Sequence, residues 1–77
     1  MARYTYFIDK ETQREIGMEL WKMRRDKRLR LQNVQTQTHI PANVIEKIEI
    51  GRNLNYGVIR KLVTFYGKKM KVVFDDE

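Results

Sequence analysis

Apolar residues recur along this chain at three- and four-residue intervals, interrupted by short polar turns, and the pattern predicts four helices. Ile16, Leu20 and Met23 share one face of the first, which Met18 and Trp21 widen. Asp9 or Thr12 can cap its start, and Thr12 with Glu15 has capping-box spacing. Its basic last turn suits the negative end of the helix dipole, giving a helix over about 12–27. Leu31 and Val34 mark a short second helix over about 31–37. Thr38 and His39 break the pattern, and His enters the left-handed backbone region more readily than most residues. Pro41 suits the first position of a third helix over about 41–50, because its missing N–H costs nothing there. Val44, Ile45 and Ile48 supply the buried face, and Gly51 is the stop. Asn55 can cap a fourth helix over about 55–66, with Val58, Ile59, Leu62, Val63, Phe65 and Tyr66 apolar and Gly67 ending it.

The two ends read differently. RYTYFI, residues 3–8, is rich in aromatic and β-favouring residues and predicts a short strand. A second strand is expected over about 69–74, with Met70, Val72 and Phe74 on one face. The expected fold class is therefore mainly α, one four-helix domain with short terminal strands. A lone two-stranded ribbon is barely stable, and its free edges invite further pairing. The strands are thus expected to help build a homodimer, with Tyr4, Tyr6, Met70, Val72 and Phe74 at the contact. Tyr4, Tyr6 and Phe7 could also stack on bases, although packing in the sheet is favoured.

Seventy-seven residues make one small domain, whose core alone is marginal. Without cysteine there is no disulfide, and one histidine does not make a structural zinc site. A second subunit is the expected support. Absent cysteine fits a cytoplasmic address. No apolar run is long enough to span a membrane, and the N-terminus lacks a signal-peptide pattern.

Sixteen Lys and Arg against ten Asp and Glu leave a net charge of +6. Such a surplus either serves solubility or favours anionic partners, of which nucleic acid is the commonest. The charge is concentrated: Lys22, Arg24, Arg25, Lys27, Arg28 and Arg30 are opposed only by Asp26 in their segment. Asp75, Asp76 and Glu77 read as a solvated acidic tail. His39 has no nucleophile or carboxylate placed to work with it, and the glycines form no phosphate-cradling loop. No cofactor is implied and an enzyme is not expected.

Leu29–Gly51, two short helical patterns around a turn with a basic run upstream, has the form of a helix-turn-helix. Ile16–Gly51 resembles the lambda-repressor-like DNA-binding domains (Cro-type and xenobiotic-response-type regulators) without a gap, and similarity continues more weakly over Leu62–Gly67. The resemblance is carried by the IG pair opening helix one, the RRDKRL run, the apolar positions Val34, Ile40, Ile45 and Ile48, and the IEIG ending of helix three. It implies that 31–37 supports and 41–49 lies in the major groove of double-stranded DNA. By matching position, Ala42, Asn43, Glu46 and Lys47 would read bases: Asn suits an adenine edge, Lys guanine, Glu cytosine and Ala a thymine methyl. Arg24 and Glu49 match a pair that ties helix one to helix three in the family. Arg25, Arg28, Arg30, Arg52 and Asn53 then remain to hold phosphates.

The implied function is a sequence-specific transcriptional regulator, a repressor that binds a palindromic operator as a homodimer, with antitoxin-type members as a sub-class. Five positions depart from the family pattern. Arg30 replaces the usual N-cap Ser or Thr, Leu31 a phosphate-binding Gln, Gln35 a small residue, His39 a glycine and Pro41 a polar residue. Those on the expected DNA face favour a second reading, a protein-interaction module that binds a toxin.

Overall fold

The computed structural model describes residues 9–52 and 55–71. Within them lie four helices: α1 (Lys10–Asp26), α2 (Leu31–Thr38), α3 (Ala42–Glu49) and α4 (Tyr56–Phe65). All four fall where the apolar spacing places them, with ends shifted by one or two residues. The described residues contain no strand. The strand expected at 3–8 lies outside them, as do residues 72–74 of the second. Residues 69–71 are irregular, and Met70 packs against the domain's own core rather than standing in a strand.

Helix starts follow their capping chemistry. Asp9, not Thr12, caps α1: its carboxylate accepts from the Thr12 backbone N–H at 2.7 Å. That bond holds the Asp9 carboxyl below the usual carboxylate range. Asn55 caps α4 by accepting from Val58 N–H at 3.1 Å. Arg30 cannot accept a hydrogen bond through its side chain. The cap of α2 is completed in reverse, with Asn33 Oδ1 accepting from Arg30 N–H at 2.9 Å.

Helix ends use the left-handed region. Gly51 and Gly67, at φ 78° and 76°, close α3 and α4. Each is followed by a residue bonding back five positions: Arg52 N–H to Lys47 O at 2.8 Å, Lys68 N–H to Val63 O at 3.0 Å. His39 adopts φ 63°, as its position after α2 predicts. Arg28 makes the same kind of turn after α1 at φ 55°, where glycine would be relaxed.

The core comprises Leu20 of α1, Val34 of α2, Ile40 in the turn, Ile45 and Ile48 of α3, and Ile59, Leu62, Val63 and Tyr66 of α4 and its cap. Ile16, Met23, Leu31 and Val44 pack around them. Met18 and Trp21 do not widen the buried face of α1; they are 52% and 38% exposed. At 100° per residue, Met18 stands opposite Leu20, so the apolar face is narrower than the residue types suggest.

Tyr66 is buried, and among the described residues its hydroxyl has no hydrogen-bond partner. Burial, reinforced by the Glu49 charge, pushes its pKa up to about 12. Folding therefore favours the protonated phenol. This contribution is complete below pH 10, the ordinary tyrosine value, and is lost as pH rises through about 12. Tyr66→Phe removes an unsatisfied polar atom and is expected to be neutral or to stabilise by up to about 1 kcal/mol. Urea unfolding of both proteins across this alkaline range should show the wild type losing stability relative to the variant. A parallel decline would disprove the assignment.

Candidate nucleic-acid interface

Three local arrangements position α3. First, α1 and α3 approach until backbone nearly touches backbone. A Cβ on Gly17 would lie 2.5 Å from Glu49 O and closer still to Ile48 O. Only a residue without a side chain fits there.

Second, Arg24 joins three segments. Its Nε and Nη2 donate to the two Glu49 carboxylate oxygens, each at 2.8 Å, and its Nη1 donates to Leu29 O at 3.0 Å. The Glu49 side chain is 6% exposed and that of Arg24 16%, so both charges have given up most of their water. The bidentate bond to Glu49 raises the Arg24 pKa further above its ordinary value, so the cation persists at every accessible pH. Arg24 is thus committed to the fold, as the sequence implied.

Third, α3 begins without a side chain of its own to cap it. Pro41 is the N-cap rather than the first helical residue, with φ −57° and an extended ψ of 139°. The free N–H of Ala42 is taken by Gln35 Oε1 from α2, at 2.6 Å. Gln35 therefore bolts α2 to the start of α3. No local pattern announces this bond, which spans seven residues and a turn. Thr38 adds a smaller brace, donating to Val34 O at 2.6 Å and accepting from Ile40 N–H at 3.2 Å.

Held this way, α3 turns Ile45 and Ile48 inward and leaves Asn43, Glu46 and Lys47 exposed. Ala42 is half-buried. Arg25, Arg28, Arg30 and Arg52 are all exposed. Arg25 lies over the Trp21 ring, its guanidinium carbon 4.7 Å from the centroid. Lys22 pairs loosely with Glu19 at 3.5 Å on the surface. Asn53 lies outside the described residues, as do Tyr4, Tyr6, Val72 and Phe74. Leu31, at the start of α2, is half-buried against the core.

Gln35, Thr36, His39 and Pro41 line an open groove between α2 and α3. Among the described residues, no three His, Cys, Asp or Glu side chains are grouped to hold a metal ion. Among the same residues, no helix is long and apolar enough to cross a membrane. Comparison with protein-family models, curated proteins and solved structures finds no match to this chain.

Proposed function

We propose that the protein is a double-stranded DNA-binding regulator of the lambda-repressor-like helix-turn-helix type, acting as a homodimeric repressor in the cytoplasm. What carries this reading is α3: a short helix joined to α2 by three residues, clamped from behind through Gly17, Arg24 and Gln35, with Asn43, Glu46 and Lys47 free on its outer side. A helix presented this way can enter a major groove and offer its first turns to base edges. Asn43 and Lys47 would read purines, Glu46 would accept from cytosine, and Ala42 would meet a thymine methyl. Arg25, Arg28, Arg30 and Arg52 would hold phosphates and release counterions, with Asn53 as an uncharged phosphate contact.

The strain at Arg28 supports a role for its side chain. A left-handed non-glycine residue costs about 1 kcal/mol, and such residues cluster where function requires the side chain. The competing reading, a toxin-binding module, draws on Gln35, whose carbonyl oxygen is committed to Ala42 N–H and is withdrawn from base contact.

Titration of labelled duplex DNA, followed by anisotropy at rising salt, tests the proposal. Affinity should fall steeply with salt, and replacing Arg30 or Arg52 with alanine should reduce the log–log slope by about one each. Arg28→Gly should weaken binding while raising fold stability by about 1 kcal/mol. Asn43→Ala and Lys47→Ala should each cost about 1–3 kcal/mol of base discrimination. Absent or salt-independent binding would reject DNA as the partner. If the same two alanines abolished capture of a protein instead, the module reading would replace it.

A further inference from the structure

The outward face of α1 carries a pattern of which the candidate DNA interface uses only Arg25. Glu11, Met18 and Arg25 follow one another at seven-residue intervals, directly opposite the buried Leu20. Arg14 and Trp21 flank this line on one side, Glu15 and Lys22 on the other. All seven side chains are exposed. Ile50, 53% exposed, borders the Arg14 side, since its neighbour Gly51 packs against Arg14. The face is acidic towards the helix N-terminus, apolar at Met18, and basic towards the C-terminus, with Arg14 the exception.

We propose that this face pairs with the same face of a second copy, the two α1 helices lying antiparallel about a two-fold axis that passes between the Met18 side chains. The partner is a copy of this chain because the pattern complements itself. An antiparallel two-fold keeps each flank opposite the same flank and reverses the direction along the helix. Met18 then meets Met18. Glu11 faces Arg25, and Glu15 faces Lys22, on both sides of the axis. Arg14, the apparent mismatch, faces Trp21, whose ring already carries Arg25 on one side and has another side to offer. Exposed Ile50 gives that ring an apolar neighbour. A parallel pairing would instead set Glu11 on Glu11 and Arg25 on Arg25.

At 1.5 Å per residue the seventeen residues of α1 span about 26 Å. A contact of that length along one helix face buries less than a standard interface, so the association is expected to be weak and concentration-dependent. The pairing gives the homodimer proposed above a surface. Its test contains no DNA, so either reading can fail alone.

Sedimentation equilibrium of the full chain over a wide concentration range should show a monomer–dimer equilibrium. Met18→Lys places two like charges at the axis and should weaken dimerisation at least about tenfold, without loss of helical circular dichroism. Glu15→Lys and Lys22→Glu should each weaken it, and the two combined should restore it. A chain that stays monomeric throughout, a dimer indifferent to Met18→Lys, or a charge swap without restoration would each overturn the proposal.

Discussion

Gly17→Ala is expected to destabilise the domain by about 3 kcal/mol or more, although the same change in an ordinary helix interior stabilises by about 1 kcal/mol. The reversal comes from what the new methyl would meet. Its neighbours would be Glu49 O at 2.5 Å and Ile48 O closer still, both backbone atoms of α3 that cannot rotate aside. Relief requires α1 and α3 to separate, which strains the Arg24–Glu49 pair and loosens the packing of Leu20, Ile45 and Ile48. For a domain of this size the loss is a large share of total stability. Gly57→Ala is the control. Its nearest neighbour is Asn55 Oδ1 at an ordinary 3.4 Å, so that variant should be neutral or gain about 0.5 kcal/mol. Urea denaturation of the three proteins should place their midpoints in the order Gly17→Ala, wild type, Gly57→Ala. A Gly17→Ala variant as stable as the wild type would mean that the close approach of α1 to α3 does not exist.

Removing either member of the Arg24–Glu49 pair should cost about 3 kcal/mol, far above the effect of an exposed ion pair. Most of that penalty is the stranded partner. Arg24→Ala leaves a carboxylate whose side chain is 6% exposed and without its two guanidinium bonds. Glu49→Ala leaves a cation beneath the α1–α3 contact. Arg24→Lys does not rescue, because one ammonium cannot reproduce the fork to Glu49 together with the bond to Leu29 O. Replacing both residues with methionine should recover part of the loss, and the double-mutant cycle should yield a coupling of about 2 kcal/mol. Urea unfolding of the wild type, the two single variants and the double variant reads the coupling directly, and a coupling near zero would show the pair to be incidental to the clamp.

How far the sequence reached can be judged residue by residue. The four helices, the caps at Asp9 and Asn55, the left-handed turn at His39 and the stops at Gly51 and Gly67 were all legible. Each depends on residues within one or two turns, where hydrogen-bond partners and apolar period are set by spacing alone. The Arg24–Glu49 pair was legible through resemblance. Pro41 was misplaced by one position, because its φ fits either the N-cap or the first helical residue and only ψ separates them.

The amino-acid sequence by itself determined the order of helices, most of their ends and the polar outer side of α3, since these follow from local bonding and from the period of the apolar residues. Only the tertiary structure decided that Met18 and Trp21 face outward, that Gly17 must lack a side chain, that Gln35 caps a helix not its own, and that the Tyr66 hydroxyl is buried with no hydrogen-bond partner among the described residues. Each of these depends on how close two elements come and at what rotation. That is set by the packing of Leu20, Val34, Ile45, Ile48, Ile59 and Leu62 acting together, which no single stretch of sequence encodes.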